Sequence, residues 1–336
     1  MINLNSEYSN SQFSASQKNS SNTPAFLHIP LTLSTNSFNS LLPLLTDSHF
    51  SLSIFHIHPD YLRVSTSGLT KLSFSKLKNY LFDGQDTRTI NKFWHPNPKT
   101  PNTKKYPHRI VTDTGVVLAY RKRAKNRGAN RRIVYDIMIE LYGSYFADLS
   151  LLEQLELICY LNSNWQLKCH RIDVAVDDYS GKLFPLLQIS VALEQGNYFG
   201  FKTIDEEYLY CFPKGCVGTI ALGSRKHNHY VRIYTKGIKN NRWEAELKQD
   251  KAQDLFNELA SFNTEKLQDI EQIKTLLKLL VEAVFGDKDF RDKNSCSTTK
   301  NTTRKRTTRL GFFERTNKIV FDTIENQSIS NYQKLT

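Results

Sequence analysis

Polar and apolar positions follow two periods along the chain, and the switches between them mark out the elements. Alternation at period two, with β-branched and aromatic residues, predicts strands in FLHIPLTLS (26–34), SLSIFHIH (51–58), RIDVAVDD (171–178), YVRIYTKG (230–237) and RWEAELKQ (242–249). The stretches RIVTDTGVVLAYRKR and IVYDIMIELYG, joined by the basic loop AKNRGANRR, predict a β-meander or hairpin. Apolar residues at i, i+3, i+4 and i+7 predict helices in LTKLSFSKLKNYLF, SLLEQLELICYLNSN, GKLFPLLQISVALEQG, KAQDLFNEL and EKLQDIEQIKTLLKLLVEAVFG. Strand, helix, strand, helix and then a hairpin with its turn at 237–241 describe an α+β fold. Its sheet is predominantly antiparallel and flanked by helices, in one domain or two related α+β halves.

Punctuation divides the chain. Residues 1–23 are rich in Ser and Asn with few apolar anchors, and read as a disordered arm. Residues 24–94 form an N-terminal α+β part. The four prolines of HPNPKTPNTKKYPH (95–108) sustain neither helix nor central strand and read as a linker. Residues 109–290 form the main domain, and 291–336 a basic tail in which LGFFERTNKIVFDTI can dock as a segment.

Composition narrows the partners. The 336 residues carry 45 Lys and Arg against 33 Asp and Glu, a formal net charge of +12, which favours a polyanion. No apolar run reaches the roughly 20 residues a membrane span needs, and the N-terminus has neither the basic nor the apolar region of a secretory signal. Five scattered cysteines suit a reducing compartment. The expectation is a cytoplasmic protein with no membrane partner. Seven cations, Arg121, Lys122, Arg123, Lys125, Arg127, Arg131 and Arg132, crowd into twelve positions. A solvated hairpin tip can show the same cluster; with the overall charge beside it, the loop reads as a phosphate-tracking, DNA-binding finger.

Three strands separate into faces. Ile172, Val174 and Val176 lie opposite Arg171, Asp173, Ala175 and Asp177; Val231 and Ile233 opposite Arg232, Tyr234 and Lys236; and Trp243, Ala245 and Leu247 opposite Arg242, Glu244, Glu246 and Lys248. A solvated sheet face would alternate likewise. The charged faces, however, combine carboxylates that can hold a hard cation, cations that can meet phosphate, and a tyrosine, a set suited to phosphoryl transfer.

The ordered run YDIMIELYG, RIDVAVDDY, GTIALGSRKHNHYVRIYTKG and RWEAELK resembles the replication initiation factor family of rolling-circle plasmids, phages and integrative elements, whose motifs run R-hydrophobic-D-x-A-x-D-D, G-S-R followed by R-x-Y-x-K, and R-x-E. KDFRDK near residue 290 is similar to a later family segment, and the resemblance covers about residues 135–295. It implies a DNA-nicking and joining enzyme in which Tyr234 of the catalytic hairpin attacks a phosphodiester, leaving a 5′-phosphotyrosine and a free 3′-hydroxyl. Arg232 and Lys236 would stabilise charge, and Asp173, Asp177 and Glu244 would hold Mg2+ or Mn2+, with Asp178 and Glu246 as alternates. Metal and cations would favour the tyrosine phenolate. Implied partners are origin DNA, single-stranded or extruded as a hairpin at the nick site, a host helicase and a second copy of the chain. The competing reading is a noncatalytic DNA-binding or regulatory protein that keeps the fold.

Three other patterns are set aside. His227-Asn228-His229 is a contiguous tripeptide, whereas an HNH nuclease spreads those residues over a ββα unit. His56 and His58 have the alternation of metal ligands on a strand, but strand histidines are more often structural and are read so here. Cys211 and Cys216 lack a second pair at zinc-site spacing and read as ordinary thiols.

Overall fold

A computed structural model describes residues 55–83, 87–90, 105–127, 130–181, 183–200, 204–212, 215–236, 240–262, 270–286, 288–293 and 308–325. The arm at 1–23, the strand expected at 26–34 and most of the linker at 95–108 lie outside the described residues.

In chain order the elements are β1 (Phe55–Leu69), α1 (Lys71–Phe82), β2 (Thr87–Ile90), β3 (His108–Thr112), β4 (Val116–Arg127), β5 (Asn130–Leu141), α2 (Gly143–Phe146), α3 (Leu151–Trp165), β6 (Lys168–Asp178), α4 (Leu186–Glu194), β7 (Tyr198–Phe199), β8 (Ile204–Phe212), β9 (Gly215–Leu222), β10 (His229–Lys236), β11 (Asn240–Lys248), α5 (Gln249–Ala260), α6 (Ile270–Phe285), β12 (Asp289–Asp292), β13 (Thr308–Arg309) and α7 (Gly311–Glu325). Ten strands form one antiparallel sheet in the order β2-β3-β4-β5-β1-β6-β11-β10-β9-β8. This is the expected α+β fold with a large antiparallel sheet and flanking helices. Segment 24–94 contributes β1 and β2 to the same sheet as 109–290.

The order has an internal regularity. β1 is followed by a helix and four consecutive antiparallel strands, the last of which, β5, returns to lie beside β1; β6 is followed by a helix and by β8 to β11, the last of which returns to β6. β1 and β6 pair antiparallel and join the two halves.

The elements follow from local chemistry. Ser150 caps α3 in a capping box with Glu153, and Gln166 ends it in the left-handed region at φ 46. β1 runs through Pro59, where its register against β6 shifts by one residue between Pro59 and Tyr61. Proline has no N–H to give the ladder, so it is accommodated at such a bulge. The shift moves the polar face from even to odd positions, keeping Tyr61 and Arg63 on the same side as His56 and His58.

One sheet face is apolar and covered by helices. Trp243, fully buried on that face of β11, meets the rings of Phe184, Phe285, Phe290 and Phe313 at 5.2 to 6.3 Å. Phe313 and its neighbours on α7 make residues 311–325 part of the core, so the basic tail contains a docked helix. Asp289 in β12 is completely buried between Arg291 and Arg309 and ties β12 to β13. No helix among the described residues is long and apolar enough to cross a membrane.

Phe313→Ala should lower the unfolding free energy by about 3 to 5 kcal/mol in a denaturant titration, the usual cost of deleting a buried ring. An effect below about 0.5 kcal/mol, typical of a surface change, would show that α7 is not integral to the core.

Candidate active site

The other sheet face carries the charge. Direct cross-strand neighbours point to the same side of a sheet, so the strand register converts sequence into rows of side chains about 4.8 Å apart. One row runs His56 (β1), Asp177 (β6), Arg242 (β11) and Tyr234 (β10). The next runs His58, Ala175, Glu244 and Arg232, and the third Tyr61, Asp173, Glu246 and Tyr230. In the first row Asp177 stands between His56 and Arg242, and in the second Glu244 stands between Ala175 and Arg232, so like charges are not set directly opposite in either.

Glu244, only 3% exposed, accepts a hydrogen bond from the Tyr234 hydroxyl at 2.9 Å on one oxygen and pairs with Arg232 through the other. Burial, with the Glu244 charge beside it, pushes the Tyr234 pKa well above the ordinary phenol value. Without a metal the proton stays on the tyrosine, and the group placed to receive it is Glu244. Asp173 and Glu246 share Arg171, and Glu246 also meets Lys248. Burial, joined by Glu244 and Glu246, raises the Asp173 pKa to about 7 against the pull of Arg171.

Asp177 lies at the centre of the first row. Its two oxygens accept from Arg242 Nε at 2.6 Å and Nη2 at 2.7 Å, and Lys236 Nζ and His58 Nε2 stand at 3.3 and 3.4 Å. Burial works against its charge, but the hydrogen bonds from Arg242 and its positive charge hold its pKa far below the usual carboxylate range. Asp178 points to the other face. Fully buried, it accepts from the Ser180, Leu183 and Phe184 amides and the Ser180 hydroxyl at 2.6 to 3.2 Å, and so organises the loop after β6.

The expected metal set is not brought together. Among the described residues, the one group of three or more His, Cys, Asp or Glu whose ligand atoms lie within 4.8 Å of one another is His56, His58 and Asp177. Of Asp173, Asp177 and Glu244, only Asp177 belongs to it. Asp173 and Glu244 stand in other rows and are neutralised by Arg171 and Arg232. The histidines are suited to coordination. His58 Nδ1 donates to the Pro59 carbonyl at 2.9 Å, leaving the Nε2 lone pair toward Asp177. Burial lowers the His56 pKa to about 3, so its ring is neutral. A ligand histidine characteristically has its other nitrogen held by a carbonyl or carboxylate, so these residues fit a divalent cation. The visible signal in the sequence was the H-x-H alternation at 56 and 58; what local pattern lacks is the pairing of β1 with β6.

A solved structure of a rolling circle replication initiator protein from Geobacillus stearothermophilus is similar to the chain, with a TM-score of 0.52 and 18% identity over 79% of this chain and 96% of that one. The two share a fold. The chain matches no protein-family model and no curated protein.

On the long β4–β5 hairpin, Arg121, Arg123, Lys125 and Arg132 take register positions on the polar sheet face, while Lys122 takes the opposite one. Arg121 and Arg123 both donate through Nε to the buried Asp136, at 2.9 and 2.8 Å, and keep about two-fifths of each side chain exposed. Lys122, Lys125 and Arg132 are exposed. The side chains of Arg127 and Arg131 lie outside the described residues.

Asp173 yields a pH prediction. Between the unfolded carboxylate value of about 3.9 and the folded value, the folded protein keeps a proton that the unfolded chain has released. Its contribution to stability therefore falls as pH rises through that window and levels off above about 7. Denaturant melts should show a shallower decline from acid to neutral pH in Asp173→Asn than in the parent protein; parallel pH profiles would contradict the assignment.

Proposed function

We propose that the protein initiates rolling-circle replication by nicking and rejoining origin DNA through Tyr234. The observation that carries this is the hydrogen bond from the Tyr234 hydroxyl to Glu244, on a sheet face where Arg232, Arg242 and Lys236 supply positive charge. The shared fold with a replication initiator supports the same reading.

The phenol loses its proton to Glu244, which Arg232 holds in place, as the tyrosine oxygen bonds to phosphorus. The bond from phosphorus to the 3′ oxygen breaks, and that oxygen takes a proton from solvent. The DNA 5′ end stays on Tyr234, and attack by a 3′-hydroxyl reverses the step. Lys236, half exposed and directed at the same face, is placed to meet phosphate oxygens as charge builds on them, together with the exposed part of Arg232. His56, His58 and Asp177 would hold a divalent cation, which supplies Lewis-acid stabilisation of the phosphate. Two imidazoles and one carboxylate favour Mn2+ over Mg2+, because Mg2+ takes oxygen ligands. The polar-face cations of the β4–β5 hairpin extend the DNA path from this centre, and Arg121 and Arg123 are held at fixed positions by Asp136.

Incubation with supercoiled DNA carrying the native origin and Mn2+, then denaturation, should leave protein attached at a 5′ end. Tyr234→Phe should bind DNA normally and form no adduct; nicking that persists in this variant would remove Tyr234 from the reaction. Neutralising Arg121, Arg123 and Arg132 together should weaken binding to duplexes of any sequence and reduce the salt slope by about 0.9 log units for each phosphate no longer neutralised. A loss confined to the cognate origin would instead assign base reading to the hairpin.

A further inference from the structure

Arg242 is placed differently from the other arginines of this face. Arg171 and Arg232 are about one-quarter to one-third exposed, whereas the Arg242 side chain is 5% exposed and spans three groups. Its Nη1 meets Asp60 at 2.9 Å, its Nε meets one Asp177 oxygen at 2.6 Å, and its Nη2 lies 2.7 Å from the other Asp177 oxygen and 3.4 Å from His58 Nε2. His58 presents a lone pair at Nε2, because Nδ1 donates to the Pro59 carbonyl. The imidazole lone pair and the carboxylate oxygen thus converge on the same Nη2 group, and both residues belong to the His56, His58 and Asp177 cluster.

We propose that the Arg242 guanidinium is a built-in competitor of the metal: it fills the cation position between His58 and Asp177, and a divalent ion enters only as Arg242 leaves Asp177. This deepens the metal reading above and rests on it. A carboxylate whose two oxygens are held by a buried guanidinium has no free lone pair in that direction, and a second cation beside the first would face unscreened repulsion. The displaced arginine has a destination. Arg242 stands directly across from Tyr234 in the β10–β11 ladder, so a guanidinium released from Asp177 is within one cross-strand step of the attacking oxygen and of any phosphate brought to it. Metal loading would then deliver a positive charge to the nucleophile, and the protein without metal would keep its cation locked on Asp177. Asp60, at the bulge of β1, retains Arg242 at one end while the other moves.

The test is direct metal binding, independent of DNA cleavage. Calorimetric titration of the full chain with Mn2+ should show one site that His56→Ala and His58→Ala abolish, and Arg242→Gln should bind Mn2+ at least about tenfold more tightly than the parent, as expected when a charge-assisted hydrogen bond no longer has to be broken. An affinity in Arg242→Gln equal to or weaker than the parent's, with the site still abolished by His56→Ala, would overturn the competition while leaving the metal site standing. Absence of histidine-dependent binding in the parent and in Arg242→Gln alike would overturn both. A second measurement reads the parent protein, with the charge-conserving Arg242→Lys used only for assignment, in case Arg242→Gln fails to fold. The Arg242 Nε–H resonance of 15N-labelled protein, assigned by its loss in Arg242→Lys, should be protected from solvent exchange without metal and lose that protection on addition of diamagnetic Zn2+. Unchanged protection at saturating Zn2+ would contradict the displacement.

Discussion

Asp177 sits in a ladder with His56 directly across on one side and Arg242 directly across on the other, and the chemistry of the face depends on that alignment. It is a consequence of register. A one-residue slip of β6 would turn Asp178 to the polar face and Asp177 into the helices, exchanging a carboxylate among cations for one that organises a loop. The apolar side enforces the register, because Ile172, Val174 and Val176 are all fully buried there and would have to come out into the charged rows. The hydrophobic pattern of one face thus fixes the electrostatic pattern of the other.

Charge on this face is stored in pairs. Each buried acid is matched to an arginine on its own or a neighbouring strand: Asp177 to Arg242, Glu244 to Arg232, Asp173 and Glu246 to Arg171, Glu140 to Arg63, and Asp136 to Arg121 and Arg123. Buried pairs of this kind add little net stability, but breaking one is expensive. They are therefore better understood as holding cations in position than as holding the fold together. The same arrangement keeps the proton on Tyr234.

Some of this was legible in the chain. Alternation in 171–178, 230–236 and 242–248 is enough to put Asp173, Asp177, Arg232, Tyr234, Glu244 and Glu246 on one face, because β6, β10 and β11 are regular there and two of them form a hairpin. What failed was distance. The partners of Asp177 include His58, 119 residues earlier, and the β1–β6 pairing that joins them follows from the order of strands across the whole sheet. Pro59 hid the second half of β1, since proline inside a run argues against a strand and only the bulge reconciles them. The acids at 173 and 244 looked equivalent to Asp177 as ligands because faces are readable while rows are not. The direction of the Tyr234 pKa shift was missed for the same reason: charge sign is in the sequence, but the burial that dominates the shift comes from packing.

We propose that Tyr234, bound to Glu244 on this face, is the group that takes up DNA. Digestion of the denatured adduct formed with a 3′-labelled origin oligonucleotide, followed by mass spectrometry of the cross-linked peptide, tests it most directly. A nucleotide phosphate is expected on the peptide containing Tyr234, lost in Tyr234→Phe and much reduced in Glu244→Gln. A phosphate on Tyr230 or Tyr179, or an adduct whose yield is unchanged in both variants, would contradict it.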